Sequence, residues 1–293
     1  MGILEGKAAI VTGAGGGLGR AHALTLASEG AAVLVNDLGG SVDGSGSGTT
    51  MADQVVAEIV DAGGTAAANH GSVTSAEDCE AMVQQAVSEF GRLDILINNA
   101  GILRDKSFKK MDDALWDPVI EVHLKGTQLA TAAAYKQMLE AGNGGRIIMT
   151  SSTSGLIGNF GQTNYGAAKA GIAGFARCLA IEGAKAGITV NTLAPNAYSR
   201  MTASLFPEGS EERFAPEKVA PAITWLCSDE AADITGRQFV ISGNRVILLY
   251  PAGHTIADEE DASKSWSPAE IGAKIKESMA DWPEAATVPK LIF

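Results

Sequence analysis

Short apolar runs alternate with longer amphipathic ones along the first 240 residues. Residues 7–11, 32–36, 65–69, 93–97, 146–150, 189–193 and 237–241 are brief, mostly apolar and flanked by turn formers, which predicts strands. Between them, residues 17–29, 49–61, 75–90, 112–123, 125–140, 163–186 and 216–227 read as helices. The first carries an apolar stripe of Leu18, Ala21, Leu24 and Leu26, and the third opens on Ser75-Ala76-Glu77-Asp78, a good N-cap with acids at the positive end of the helix dipole. Strands alternating with helices imply right-handed βαβ units and a parallel sheet. Near-continuous apolar strands imply a sheet covered on both faces. The pattern therefore predicts an α/β protein, a doubly wound parallel sheet of about seven strands with a C-terminal extension.

The pattern changes after about Gly243. Residues 244–293 carry an acidic run and a single helical stretch at 268–279. Fifty residues seldom hold a core unaided, so they are expected to form an extension packed on the domain of residues 1–243 or on a subunit interface. The formal net charge of −12 argues against nucleic acid or an anionic membrane as partner. No segment offers the ~18 apolar residues that predict a membrane span, and the last four residues, KLIF, are not a peroxisomal address. A cytoplasmic location is expected. Cys79, Cys178 and Cys227 are widely spaced with no CxxC, and they read as small buried apolar side chains in a reducing compartment. No metal site is expected.

Candidate chemistry begins at Thr12–Gly19, TGAGGGLG, set between the first strand and the first helix. Gly13, Gly17 and Gly19 permit a tight turn and close backbone approach, and the helix start at Leu18 faces an anion. Asp37 ends the second strand, eighteen residues beyond Gly19. A carboxylate there accepts hydrogen bonds from ribose hydroxyls and repels a 2′-phosphate, and residues 14–17 carry no Lys or Arg. NAD is favoured over NADP. Asn98-Asn99-Ala100-Gly101 closes another strand at the edge where open α/β sheets bind ligands, although Asn and Gly also favour a plain turn.

In residues 151–169, Ser152 is followed by Tyr165 and Lys169. Residues i and i+4 share one helix face, so an ammonium would stand beside a phenol and stabilise its anion. Ser152 would share a substrate oxygen with that phenol, giving an acid/base pair for an alcohol. Taken alone, Tyr165 and Lys169 could equally be an ordinary helix pair.

Together, TGAGGGLG, NNAG and Ser152/Tyr165/Lys169 in this order resemble the short-chain dehydrogenase/reductase family over about residues 3–243. Longer stretches narrow the likeness: VNDLGG at 35–40, NNAGILRDKSF at 98–108, GNFGQTNYGAAK at 158–169 and APNAYSRMT at 194–202. These are similar to the (3R)-hydroxyacyl-CoA dehydrogenase module of the peroxisomal multifunctional β-oxidation enzyme, also described as a 17β-hydroxysteroid dehydrogenase. The resemblance implies a Rossmann-type domain, a homodimer or homotetramer, and hydride transfer between NAD and a secondary alcohol. Tyr165 would be the general acid/base, Ser152 would polarise the substrate oxygen, and Lys169 would lower the tyrosine pKa and bind nicotinamide ribose. Ser151 and Ser154 are rival hydroxyls, and the offset from Tyr165 selects Ser152. Gly13, Gly17, Leu18, Gly19, Asp37, Ser72, Val73, Asn99, Ala100, Gly101 and Pro195 would line the cofactor cleft with Tyr165 and Lys169.

Three positions depart from the family. His123-Leu124-Lys125-Gly126 stands for Asn-x-x-Gly, Ser72-Val73 for Asp-Val, and Pro195-Asn196 for Pro-Gly. The likeness to the narrower group extends to the histidine and the Pro-Asn. His123 is a candidate for the proton relay or a helix-surface residue. The substrate implied is a 3-hydroxyacyl-CoA, with a steroid alcohol as alternative and a catalytically inactive nucleotide-binding regulator as an alternative of another class. Residues 198–214, with Met201, Leu205 and Phe206, are expected to form a substrate lid. Arg104, Lys106, Lys109 and Lys110 are either CoA phosphate contacts or a solvated charge cluster.

Overall fold

The computed structural model describes residues 2–41, 43–46, 48, 50–199, 202, 206–258 and 263–284. Met201 and Leu205 of the expected lid lie outside these. Eight strands form one sheet: β1 (Ala8–Thr12), β2 (Ala32–Asn36), β3 (Thr65–Asn69), β4 (Ile95–Asn98), β5 (Gly145–Thr150), β6 (Ile188–Asn196), β7 (Gln238–Ser242) and β8 (Arg245–Leu249). Their order is β3-β2-β1-β4-β5-β6-β7-β8. All neighbours run parallel except β7 and β8. The eighth strand is the difference from expectation. It pairs Ser242 with Arg245 in a hairpin, so the boundary expected at Gly243 falls inside a two-residue turn.

Helices α1 (Gly17–Ser28), α2 (Thr50–Asp61), α3 (Ala76–Phe90), α4 (Asp113–Ile120), α5 (Gly126–Ala141), the single turn α6 (Thr153–Leu156), α7 (Thr163–Gly183), α8 (Ala220–Leu226) and α9 (Pro268–Ser278) complete the chain. Strand alternation divides the core in two. Ala9, Val11, Val33, Val35, Ile95 and Ile97 pack with Ala23, Leu26, Val55, Ile59 and Ile223 of α1, α2 and α8. Ile10, Leu34, Leu96, Ile147 and Met149 face the other way, onto Met82, Ala134, Met138, Ile172 and Ala176 of α3, α5 and α7. Ser75 caps α3 by accepting from the Asp78 N–H at 3.1 Å.

The two helices read around residues 112–140 are one rod. Between α4 and α5 runs a π-helical turn, Glu121–Lys125, a wider turn that period-3.6 reading cannot detect and that recurs at functional sites. It carries His123 inward, leaving it 2% exposed. A helix-surface histidine is thereby ruled out. Cys79 and Cys227 are buried as expected, but Cys178 is exposed, because it falls on the outer side of α7. The C-terminal helix α9 is closed by a Ser267/Glu270 capping box and has no buried residue. Among the described residues, no helix is long and apolar enough to cross a membrane.

Candidate active site

The strand order reverses direction between β1 and β4, so their carboxyl ends open the crevice where α/β sheets take ligands. On one side lies the glycine turn. Gly13 has φ +62, and a Cβ there would stand 2.7 Å from Ala100 Cα. A Cβ on Gly19 would stand 2.2 Å from the Gly13 carbonyl oxygen. Only glycine lets these backbones meet. Asn99 fixes the arrangement, its amide donating to the carbonyls of Thr12 at 3.1 Å and Gly13 at 2.9 Å, while the N–H groups of Asn99 and Ala100 donate to the Thr12 hydroxyl. Asn99 is thus a tether between strand ends.

Asp37 sits at the end of β2 with its carboxylate over the turn, accepting from the N–H groups of Gly15 and Gly39, both at 2.7 Å. Arg20, one turn into α1, is held by Glu58 and Glu217. Helix α1 begins at Gly17, beside Leu18, with no acidic residue in its first turn and no side-chain cap, so its leading N–H groups face the crevice. Across the cleft, Ser72 donates its N–H to Asp78 at 2.8 Å, and Val73 packs where a Gly126 Cβ would lie. Pro195, next to last in β6, is paired with Ile241.

On the other side, β5 delivers the three serines and α7 delivers the phenol and amine. The rival hydroxyls are engaged elsewhere. Ser151 donates to the Lys169 carbonyl at 2.7 Å and Ser154 to Gln162 Oε1 at 2.6 Å. Ser152, the N-cap of α6, accepts from the Ser154 N–H at 3.2 Å, and its hydroxyl favours the ionised phenol of Tyr165. Lys169 is 3% exposed, donates to the Thr150 carbonyl at 2.6 Å, and stands 5.5 Å from the Tyr165 ring centre.

Electrostatics correct one expectation. On balance the chain's own groups raise the Tyr165 pKa: burial pushes it up to about 12, the Ser152 hydroxyl opposes this and the charge of Asp105 assists it. Burial likewise pushes Lys169 down to about 7, so the ammonium charge that was to depress the phenol is itself penalised by desolvation.

His123 packs edge-on to Tyr165, ring centres 5.1 Å apart. Its Nε2 lies 2.7 Å from the Ile102 carbonyl oxygen and 3.1 Å from the Ile102 N–H, so this nitrogen finds a partner in either tautomer. Nδ1 is buried without a partner among the described residues. Burial, then the charge of Lys169, holds this ring well below the usual histidine range, so it is neutral at pH 7. Gly101 owes its identity to this ring, since a Cβ there would lie 2.2 Å from His123 Cε1. Gly101→Ala is expected to displace His123 and lower kcat/KM by about 10²-fold, the scale on which small misplacements act. His123→Asn in the same chain should restore part of the loss by making room. An activity within twofold of the unsubstituted protein would show that the ring does not hold Tyr165.

Sequence reading missed a polar brace over the substrate side. Gln162 donates to Asp105 at 2.6 Å while its oxygen accepts from Ser154 and Asn159, and Asn164 donates to the carbonyls of Arg104 and Leu115. All of these but Ser154 and Leu115 lie within 98–108 and 158–169, stretches marked by resemblance, but nothing local shows that the two meet. Arg104 is a backbone strap, donating to the carbonyls of Asp43 at 3.0 Å and Ala114 at 2.8 Å.

A parallel sheet with this glycine turn and a Ser-Tyr-Lys cluster at its carboxyl edge defines an oxidoreductase class, and the short chain dehydrogenase family matches residues 7–208. The chain belongs to that family. It is 52% identical over 232 residues to peroxisomal multifunctional enzyme type 2 of Mus musculus, covering 79% of this chain and 31% of that protein. It is 47% identical over 226 residues to the peroxisomal hydratase-dehydrogenase-epimerase of Neurospora crassa, with 77% and 24% covered. The chain thus spans about a quarter to a third of those relatives. Over nearly full length it is 39% identical to a hydroxyacyl-CoA dehydrogenase of Mycobacterium tuberculosis, with 94% and 90% covered. Among solved structures, a short chain dehydrogenase from Mycobacterium avium superposes with TM-score 0.84 at 41% identity, 98% of this chain and 99% of that one covered. A 7α-hydroxysteroid dehydrogenase complexed with NADH and 7-oxo glycochenodeoxycholic acid superposes with TM-score 0.74 at 31% identity, with 82% and 94% covered.

Proposed function

We propose that this chain is an NAD-dependent dehydrogenase interconverting a 3-hydroxyacyl-CoA and its 3-oxoacyl-CoA. The observation that carries the chemistry is Tyr165 at the mouth of the sheet with buried Lys169 5.5 Å from its ring centre, and with the Ser152 hydroxyl opposing the rise of its pKa. The names of the hydroxyacyl-CoA and multifunctional relatives support the substrate class.

The residues fit a dinucleotide. The turn at Gly13–Gly19 is closed to any Cβ at Gly13 and Gly19, the α1 N–H groups lie open to a diphosphate, and Asp37 stands ready for ribose hydroxyls. Ala100, Ser72, Val73 and Pro195 complete the cleft, with Lys169 toward the nicotinamide ribose. When bound, the cofactor supplies hydride exchange and, oxidised, a positive charge near the phenol.

Ser152 holds the substrate oxygen. With its pKa near 12, Tyr165 is protonated at neutral pH and donates to a ketone oxygen as that oxygen gains charge. In the alcohol-oxidising direction Tyr165 must first lose its proton. Lys169, near 7, exchanges a proton at physiological pH and lies one helical turn further along α7. The reading extends to a cytoplasmic homo-oligomer, the assembly the family resemblance implies.

The deciding assay is a panel of 3-hydroxyacyl-CoAs of varied chain length and of hydroxysteroids, followed by NADH absorbance. Turnover confined to the steroids would replace the acyl-CoA reading with the second one, which the bile-acid complex of the structural relative favours. NAD preference has its own check. Asp37→Ala removes the carboxylate facing the ribose and should narrow the NAD/NADP ratio of kcat/KM by tenfold or more, on the scale of one or two charge-assisted hydrogen bonds. Equal use of both cofactors by the unsubstituted protein would sink the assignment of Asp37.

A further inference from the structure

A second cavity opens at the same carboxyl edge, beyond β6. It has a volume of about 310 Å³ and is lined by Arg213, Lys218, Ser242, Gly243, Asn244 and Arg245. Three cations and no carboxylate line it, in a chain of net charge −12. Among the described residues none of the three cations is in an ion pair. Of the nearby acids, Glu217 is turned toward Arg20 at 3.8 Å and Glu211 acts on the Tyr198 phenol.

The fold assembles this cluster from three separate elements. Arg213 closes the segment after β6, whose Phe214 carbonyl accepts from the Tyr198 N–H at 2.7 Å. Lys218 ends the short 3-10 turn Pro216–Lys218, and Arg245 opens β8. Gly243 has φ +56, and a Cβ there would stand 2.7 Å from the Arg213 carbonyl oxygen. A glycine at the β7–β8 turn therefore lets the Arg213 segment close against the hairpin. The guanidinium of Arg213 lies 5.1 Å from the Phe214 ring centre, which limits its range.

We infer that Arg213, Lys218 and Arg245 form the subsite for the phosphate groups of the CoA thioester, a deepening that rests on the acyl-CoA reading above. The position suits it. The cavity lies two strands from Thr150 and three residues further along, through the pairs Thr150–Leu193 and Asn196–Ser242. At sheet spacings that is roughly 10 Å across and roughly 10 Å along, within reach of an extended pantetheine arm whose thioester end lies at Tyr165. Convergent guanidinium and ammonium groups are the chemistry that recognises phosphates. Of the four cations at residues 104–110, Arg104 is committed to backbone carbonyls.

The test compares one 3-hydroxyacyl group carried on CoA, on 3′-dephospho-CoA and on N-acetylcysteamine, which has no phosphate. In Arg213→Gln/Lys218→Gln/Arg245→Gln, KM for the CoA thioester should rise roughly tenfold or more, with kcat and KM for the N-acetylcysteamine thioester unchanged. The dephospho-CoA thioester assigns the loss to the 3′-phosphate or to the diphosphate. Arg245→Gln alone, at the rim of the hairpin, gives the same pattern at smaller size if the triple variant folds poorly. An unchanged KM for the CoA thioester, or an equal rise for both carriers, overturns the subsite and leaves the acyl-CoA reading standing. Absence of turnover of every CoA thioester by the unsubstituted protein overturns both.

Discussion

Replacing Tyr165 by Phe is expected to lower turnover in both directions by roughly 10²–10⁴-fold, the usual contribution of a positioned acid/base, while NADH binding stays near that of the unsubstituted protein. The substitution removes one oxygen. It leaves the ring against His123, 5.1 Å between centres, and leaves Lys169 on the Thr150 carbonyl. What disappears is the proton donor and the partner of the Ser152 hydroxyl. Stopped-flow turnover with a 3-hydroxyacyl-CoA and fluorescence titration with NADH separate the two readouts. Activity surviving within tenfold would mean that the base is wrongly assigned. Loss of NADH binding would mean that the phenol serves the cleft more than the reaction.

Acid stability should depend on a histidine far from this chemistry. His22 of α1 is fully buried, with neither ring nitrogen partnered among the described residues. Burial pushes its pKa down from 6.5 to about 4. The folded state keeps the ring neutral, and the unfolded chain binds a proton more readily. His22 therefore costs nothing in linkage above about pH 6.5, and stability is lost as pH falls from there toward 4. The loss reaches about 3 kcal/mol by pH 4, at 1.36 kcal/mol per pKa unit. In His22→Phe that part of the slope should vanish, so urea unfolding at pH 7 and pH 4.5 should show a smaller stability loss for the variant. His123 is depressed in the same direction and remains in both proteins, so its contribution cancels. Equal losses in the two proteins would show that the His22 site opens to water on protonation.

Much of this architecture follows from local pattern. Ile10 beside Ala9 and Val11, and Leu96 beside Ile95 and Ile97, are apolar on both faces, so the strands announce a doubly covered sheet from five residues each. The glycine turn, Asp37 at a strand end, and the i, i+4 spacing of Tyr165 and Lys169 are equally local, and the structure brings all of them to one edge. What escaped notice depends on contacts distant in the chain. Strand β8 was hidden in a tail whose composition had changed, because a hairpin partner is chosen by the edge it meets. The π-turn at His123 leaves no periodic signature. Gln162 meeting Asp105 joins residues 57 positions apart.

The sequence by itself determined the seven parallel strands, the glycine turn and the spacing of Tyr165 and Lys169, because each is written in short-range pattern and side-chain chemistry. Only the tertiary structure showed where the rival hydroxyls go, Ser151 to the Lys169 carbonyl and Ser154 to Gln162. It also decided that Gly101 is glycine to admit a ring, and that burial outweighs the Ser152 hydroxyl at Tyr165. The cavity of Arg213, Lys218 and Arg245 belongs to the same group. These are sums of close approaches and desolvation at sites built from remote segments, and such sums exist only once the chain has folded.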